Sequence, residues 1–237
     1  KIDMQKKYYT STTVDGTSIE SKISDDLSGT ELYNCLTAYG TVYNTRHKLK
    51  NPQRFVDWTE ENFEYVKYNP RKDINRYGLS ITSLDGGLSG IPDLDSLIEY
   101  EQEFKIQYLE QDFRTKTPVY YYEELKELLD PIESNIFRSH ILKLSPGGFF
   151  PPHRDYFGTY FDSFRAIIPL KNMNPPRHNF IIEDKIIQWK MGGFYFVDTA
   201  KLHYLFNASL ETMYMIVLNI DLTKETVRFV TENMEYG

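Results

Sequence analysis

The second half of the chain alternates short β-type runs with turn residues, and this rhythm limits the possible folds more than any other feature. The predicted strands span residues 136–144, 163–170, 179–183, 186–190, 194–197, 204–206 and 212–220. Turn residues separate them at Pro146-Gly147-Gly148, Asn174-Pro175-Pro176, Glu183-Asp184 and Gly192-Gly193. Short strands without helices between them are typical of antiparallel sandwiches and barrels rather than of βαβ units. The sequence therefore predicts a mainly β core.

The first 130 residues follow a mixed pattern, which predicts helices around that core. A helix is expected around residues 59–68 and a strand over 76–84. A second helix is expected to begin at Thr117-Pro118, an N-cap and first-turn pair, and to end at Asp130-Pro131. Since no repeat or long linker interrupts the sequence, residues 1–237 are expected to form one domain. Its parts would be an N-terminal elaboration (1–130), the core (131–223) and a C-terminal tail (224–237).

Composition excludes several classes of protein. The 237 residues carry a formal net charge of −7, which argues against nucleic acid as a partner because phosphate contacts need a surplus of Lys and Arg. No run approaches the roughly 18 apolar residues of a membrane span, and the opening segment lacks the apolar core of a signal peptide. Cys35 is the single cysteine and cannot form an internal disulfide. A cytoplasmic protein is expected, although a removed leader stays open because Lys1 is not an initiator Met.

Three residues form a candidate metal site. His153 and Asp155 are two positions apart, so in an extended segment both side chains point to the same side. His203 follows an aromatic run and a bend, fifty positions after His153. Two His and one carboxylate leave open positions on an octahedral ion, as in non-haem Fe(II) oxygenases. A His-x-Asp triplet alone is a weak signal, and a lone His after a strand is more often structural, so the ordered context carries the prediction.

Several segments in that order resemble a known family. They are LSPGGFFPPHRD, FRAIIPL, IIEDKIIQWKMGGFYFVD, HYLFNAS and MYMIVLNIDL. Residues 136–221, a little over a third of the chain, resemble the double-stranded β-helix of the Fe(II)/2-oxoglutarate dioxygenases, in particular the aspartyl/asparaginyl β-hydroxylase-like branch that includes free proline hydroxylases. The resemblance implies a mainly β (α+β) fold with a jelly-roll, cupin-like core and flanking N-terminal helices.

The resemblance also implies the cofactors and the site. Fe(II) would be held by His153, Asp155 and His203, and Arg165 stands where relatives place an Arg that contacts 2-oxoglutarate. A guanidinium suits that task because it can hold a carboxylate with two hydrogen bonds; a rim ion pair is the alternative for Arg165. Relatives place a second Arg ten residues after the distal His, where this chain has Met213.

The sequence leaves the replacement for that second Arg open among Arg165, Lys143 and a Tyr hydroxyl. For Arg76, contact with an acidic substrate group and an ordinary surface role both stay open, and His140 either is structural or faces the pocket.

The expected function is hydroxylation of a C–H bond by dioxygen, with release of succinate and carbon dioxide. The substrate would be an amino acid, a peptidyl side chain or a related small molecule. Two alternatives remain at the level of sequence: a metal-dependent cupin-like enzyme that does not use 2-oxoglutarate, and a non-catalytic β-barrel binding module. Loss of function on His153→Ala would separate the enzymes from the binding module.

Overall fold

The computed structural model describes residues 28–69, 74–155 and 161–235, with the backbone of 10–11 and 21–22. The opening segment examined for a signal peptide lies outside these residues. The strands are β1 (Thr10–Ser11), β2 (Ser21–Lys22), β3 (Val42–Lys48), β4 (Val66–Lys67), β5 (Arg76–Ser80), β6 (Thr82–Ser83), β7 (Thr115–Lys116), β8 (Ile136–Leu144), β9 (Phe149–His153), β10 (Ser163–Lys171), β11 (His178–Ile182), β12 (Lys185–Ile186), β13 (Gly193–Val197), β14 (His203–Asn207) and β15 (Met213–Asp221). The α-helices are α1 (Gly29–Thr37), α2 (Pro52–Asn62), α3 (Leu97–Phe104), α4 (Glu123–Leu129) and α5 (Lys224–Thr231), and 3₁₀ turns occupy Glu110–Asp112, Pro118–Tyr121 and Asp130–Asn135.

Two antiparallel sheets form the core. The larger has seven strands in the order β3-β13-β10-β15-β8-β5-β4, and the smaller has four in the order β12-β11-β14-β9. Between them lies an interior cluster to which both sheets contribute, made of Leu142, Leu144, Ile167, Met173, Phe180, Ile182, Trp189, Tyr195, Val197, Leu205, Met213 and Met215. The fold is a mainly β double-stranded β-helix with helical flanks, and the prediction of its class is confirmed.

The large sheet is buried on both faces. On β10, Phe164, Ala166 and Ile168 pack with the helices, whereas Ile167 belongs to the interior cluster. The helix-side cluster also takes Leu32 of α1, Phe55 of α2, Leu125 of α4 and Val227 of α5. Successive side chains of a strand point to opposite faces of the sheet. A sheet that is covered on both faces therefore needs strands with apolar residues at successive positions, as on β10.

Most predicted strands agree with the structure to within a residue or two, but the one over 186–190 is wrong. β12 ends at Ile186, and the chain then leaves the sheet. The Asn174 side chain replaces the sheet partner there: its Oδ1 accepts from the Trp189 N–H at 2.7 Å, and its Nδ2 donates to the Trp189 carbonyl at 3.0 Å. The Asn174 side chain therefore forms the hydrogen bonds with the Trp189 backbone that a neighbouring strand would form, which the local sequence pattern could not indicate.

The N-terminal region differs more from its prediction. The helix expected over 59–68 lies earlier, at α2, and the chain then enters β4. Thr117 does cap a turn, since its Oγ1 accepts from the Val119 N–H at 3.3 Å, but a 3₁₀ turn precedes α4 instead of one continuous helix. Strands β3 and β5 join the large sheet, so this region completes the barrel wall as well as covering it. None of the helices in the described residues is both long and apolar enough to cross a bilayer.

Candidate metal centre

Two strands of the smaller sheet place two histidines side by side. His153 is the last residue of β9 and His203 the first of β14, and the antiparallel register pairs them. Their ring centroids lie 4.3 Å apart. Asp155 follows after one residue, and its main-chain N–H donates to the Thr199 carbonyl at 3.0 Å, which fixes the bend after β9. The structure thus brings together the three residues that the sequence selected.

The three ligand atoms converge on one point. Asp155 Oδ1 is 3.5 Å from His153 Nε2 and 3.9 Å from His203 Nε2, and all three atoms lie within 4.8 Å of one another. Metal bonds to imidazole nitrogen and carboxylate oxygen are about 2.0–2.2 Å long, so one ion can reach all three atoms. Two nitrogens and one oxygen on one face are the donor set of non-haem Fe(II) sites. The residues therefore fit Fe(II).

Both imidazoles are oriented by backbone carbonyls. His153 Nδ1 lies 2.7 Å from the Pro151 carbonyl, and His203 Nδ1 lies 3.0 Å from the Lys201 carbonyl. A carbonyl only accepts, so each Nδ1 carries the proton and donates it. Each Nε2 then keeps its lone pair for a metal, which is how outer contacts fix the tautomer of ligating histidines.

Arg165 orients the carboxylate ligand. Its Nε donates to Asp155 Oδ2 at 3.2 Å, so Oδ1 is the oxygen that faces the two histidines. Burial acts to raise the pKa of Asp155, but Arg165 and the two histidines outweigh burial and hold the pKa below its ordinary value. The carboxylate is consequently ionised and ready to bind a cation at neutral pH.

The triad opens into a cavity of about 120 Å³ between the sheets. A single buried water needs roughly 10–15 Å³ by the same measure, so the space suits a small organic acid rather than one solvent molecule. The cavity is lined by Tyr68, Glu110, Arg138, His140, Leu142, Phe150, His153, Asp155, Arg165, Ile167, Phe180, Thr199, His203, Leu205, Met215, Val217 and Asn219. Eight of these residues are apolar or aromatic and nine are polar, so the wall combines an apolar surface with several charged groups.

Two of these charged residues, Glu110 and Arg138, were not identified from the sequence. Glu110 Oε2 lies 3.3 Å from Arg165 Nη2, and Glu110 Oε1 lies 2.6 Å from Arg138 Nη1. Arg138 is further fixed by the Asp93 and Asp95 carbonyls, which accept from its Nε and Nη2. Burial acts to raise the pKa of Glu110, but the two guanidiniums hold it below its ordinary value. One carboxylate therefore bridges two cations in the cavity wall.

The structure places the other residues considered in the sequence analysis in different surroundings, some facing the cavity and some facing away from it. His140 does face the cavity, where burial lowers its pKa to about 3, so it is neutral. Lys143 does not: its Nζ lies 2.8 Å from Glu60 on the opposite face of the large sheet. Met213 is 1% exposed within the interior cluster. The surface role considered for Arg76 is wrong, because this residue is only 6% exposed.

Residues 108–224, just under half of the chain, match the family model described as Aspartyl/Asparaginyl beta-hydroxylase. Over these residues the chain is similar to the aspartyl/asparaginyl β-hydroxylases. The match confirms the resemblance to the Fe(II)/2-oxoglutarate-dependent dioxygenases, and the donor set of His153, Asp155 and His203 fits Fe(II). The match spans all three residues of the candidate metal centre as well as Glu110, Arg138 and Arg165.

Solved structures similar to this chain include two prolyl hydroxylases and a predicted oxalate decarboxylase. The prolyl-4-hydroxylase from Pseudomonas putida is 11% identical, with 80% of this chain and 96% of that chain covered and a TM-score of 0.45. The viral collagen prolyl hydroxylase vCPH from Paramecium Bursaria Chlorella virus-1 is 12% identical, with 79% and 99% covered and a TM-score of 0.41. A predicted oxalate decarboxylase from Thermotoga maritima is 17% identical, with 39% and 73% covered and a TM-score of 0.30.

No curated protein is significantly similar to the chain in sequence. The structural similarities carry no argument about activity at these scores, so the assignment rests on the family match and on the triad.

Proposed function

We propose that the chain hydroxylates a C–H bond of an amino acid, a peptidyl side chain or a related small substrate, with release of succinate and carbon dioxide. The observation that carries this proposal is the convergence of His153 Nε2, His203 Nε2 and Asp155 Oδ1 beside the cavity between the two sheets. Three ligands on one side leave room for a bidentate 2-oxo acid and for dioxygen on the other. Fe(II) with these co-reactants supplies the oxidising chemistry when bound.

The chain's own residues position the reactants. His153, Asp155 and His203 are the proposed metal ligands, and their outer contacts hold each ligand atom in place before metal binds. Arg165 keeps Asp155 oriented and offers its charge to a carboxylate of the 2-oxo acid. Since these groups are already in place, little reorganisation is needed on binding.

The cavity wall supports an amino-acid-like substrate. Arg138 and Glu110 present a cation and an anion next to each other, and the α-carboxylate and α-ammonium of an amino acid carry the complementary pair. Phe150, Phe180, Ile167 and Val217 line the remainder and exclude water from the reacting groups. A free amino acid offers both charged groups, whereas a peptidyl residue offers at most one of them, at a chain terminus, and otherwise depends on the apolar part of the wall.

The test is a substrate screen scored by succinate. Protein with Fe(II), 2-oxoglutarate and ascorbate is incubated with free amino acids and with short peptides, and succinate is measured against His153→Ala. Stimulation of succinate by one class, together with a product 16 Da heavier than that substrate, supports the proposal. Metal-dependent turnover of other substrates with no succinate formed would instead identify an enzyme that does not use 2-oxoglutarate.

We further propose a cytoplasmic location. The single cysteine, Cys35, is buried in the helix-side cluster and has no second cysteine for a disulfide within the chain, which suits a reducing compartment where Fe(II) persists. Localisation of a tagged full-length chain by microscopy or fractionation tests this, and recovery from a secreted or membrane fraction would contradict it.

A further inference from the structure

The position of Met213 leaves the interior of the barrel without the expected cation. Met213 is 1% exposed and packs in the interior cluster, so its thioether offers no charge to a carboxylate. Lys143 points to the other face of the sheet and is held by Glu60. A dicarboxylate placed with one end in this apolar interior would lose its hydration without compensation, and that loss is costly. Another residue must neutralise the far end of 2-oxoglutarate.

The register of the large sheet brings Arg76 to the same level as Met213. Arg76 pairs with Leu144 across β5 and β8, and Leu144 pairs with Met213 across β8 and β15. Neighbouring strands lie about 4.8 Å apart, so Arg76 is roughly 10 Å from Met213 in the sheet. Tyr77, the next residue of β5, packs on the helix-side cluster. Arg76 therefore points to the interior, as Leu144 and Met213 do.

The Arg76 side chain is buried among residues that line the cavity. Its Cζ lies 4.0 Å from the centroid of the Phe150 ring and 5.6 Å from that of the Tyr68 ring. Among the described residues Arg76 forms no ion pair, and its buried Nε has no hydrogen-bond partner. Burial also lowers the pKa of the guanidinium from its ordinary value. The Glu99 carboxylate acts in the opposite direction but forms no ion pair with Arg76, so in the described part of the chain this buried cation lacks the direct carboxylate contact that such groups normally have.

The two arginines that line the cavity, Arg138 and Arg165, already contact carboxylates. Arg165 pairs in register with Asn219, six residues from Met213 along β15, which is a distance of roughly 20 Å. Arg165 contacts Asp155, and both Arg165 and Arg138 share the Glu110 carboxylate. They belong to the end of the cavity that holds the metal-ligand carboxylate, so neither can serve the opposite end.

We propose that Arg76 binds the distal carboxylate of the 2-oxo acid cosubstrate and so takes over the task of the arginine that relatives carry at the position of Met213. The inference rests on the proposed use of 2-oxoglutarate. Arg76 suits the role because its planar guanidinium can donate two parallel hydrogen bonds to a carboxylate, and because the bound anion supplies the direct ion-pair contact that Arg76 lacks among the described residues. Arg76 thereby determines which 2-oxo acid the enzyme accepts.

The experiment measures binding rather than turnover. Protein loaded with Co(II) under anaerobic conditions is titrated by calorimetry with 2-oxoglutarate and, separately, with 4-methyl-2-oxopentanoate, which has the same chelating end but an uncharged distal end. Arg76→Met is expected to weaken 2-oxoglutarate binding about 10–100-fold and to leave binding of 4-methyl-2-oxopentanoate unchanged or tighter. Arg76→Lys is expected to restore part of the loss, since an ammonium keeps the charge but not the fork.

Lys143→Met is the matched control, because Lys143 lies on the neighbouring strand one register position away but faces outward. It should bind both acids as the parent does. The Co(II) absorption spectrum reports whether each variant keeps a folded triad. If Arg76→Met does not fold, Arg76→Lys tests the inference instead. It is expected to bind 2-oxoglutarate several-fold more weakly than the parent and to bind 4-methyl-2-oxopentanoate as the parent does.

Three outcomes would overturn the inference. Equal affinity of the parent and a folded Arg76→Met for 2-oxoglutarate removes Arg76 from the cosubstrate site. Unchanged 2-oxoglutarate affinity with a raised KM for the hydroxylated substrate makes Arg76 a substrate-binding residue instead. A parent protein that binds Co(II) but no 2-oxoglutarate contradicts the proposed function itself, and is distinguishable because the parent fails before any variant is compared.

Discussion

Arg165 donates from Nε to Asp155 Oδ2 at 3.2 Å, and this contact leaves Oδ1 directed at the two histidines. The arginine therefore sets which oxygen of the carboxylate would face a bound metal. It does so from β10, a strand of the large sheet, whereas both histidines come from the smaller sheet. The metal centre thus depends on how the two sheets face each other.

The first prediction concerns this contact. Arg165→Met should weaken Co(II) or Fe(II) affinity about 10–100-fold, the usual cost of losing an outer partner of a metal ligand, because Asp155 is then free to rotate. Arg165→Lys should lose less, since it keeps the charge. Arg177→Met, which changes an exposed arginine, is the control and should match the parent. Metal titration followed by absorption measures the effect, and an unchanged affinity in Arg165→Met would show that Asp155 needs no partner.

The bridging carboxylate gives a second prediction. Glu110→Gln removes the negative charge between Arg138 and Arg165, so the cavity should attract anions more strongly while the fold becomes less stable. We expect a melting temperature lower by a few degrees and tighter binding of 2-oxoglutarate to the Co(II) protein. Glu133→Gln, which removes an outlying partner of Lys116, is the matched control. Weaker binding of 2-oxoglutarate in Glu110→Gln would contradict the electrostatic account of the cavity.

A third prediction concerns His140 and pH. Burial lowers the pKa of His140 to about 3, well below the ordinary value of 6.5 that the unfolded chain keeps. As pH falls below about 6.5 the unfolded chain takes up a proton that the folded protein does not, so stability is full above that pH and declines toward pH 3, by about 1 kcal/mol per pH unit.

Denaturant unfolding of metal-free protein between pH 6.5 and 4.5 measures this decline. In His140→Gln the free energy of unfolding should depend less steeply on pH than in the parent, and the difference in slope should correspond to the uptake of one proton. Parallel slopes in the two proteins would mean that His140 is protonated in the folded state.

The sequence predicted the central strands well because both of their faces are buried. Ile136–Leu144 was predicted with the bounds that β8 has, and β10 and β15 differ by one residue from their predictions. Strand β9, which carries His153, was not predicted as a strand because it contains Pro151 and Pro152. Proline is tolerated there because β9 is the edge strand of its sheet, and an edge position is a property of the assembled sheet.

The residues of the candidate metal centre were predictable, whereas the charged cavity wall was not. His153 and Asp155 are near neighbours with a local spacing rule, but Glu110 reaches the cavity from a 3₁₀ turn outside any pattern. Arg138 lies where the register between β8 and β15 shifts, with φ at +39°, and such a bulge re-aims a side chain that simple alternation would misplace. Arg76 is assigned to the interior only once its pairing with Leu144 is known.

The most direct test of the account is spectroscopic. Anaerobic addition of Fe(II) and then 2-oxoglutarate to the parent protein should produce the weak visible charge-transfer band of the chelate, and His153→Ala and His203→Ala should not produce it. His178→Ala provides the matched control, since this buried histidine contacts Ser209 outside the cavity, and it should keep the band. A band that persists in His153→Ala and His203→Ala, or its absence from a parent that binds Fe(II), would contradict the assignment of the metal centre and its cosubstrate.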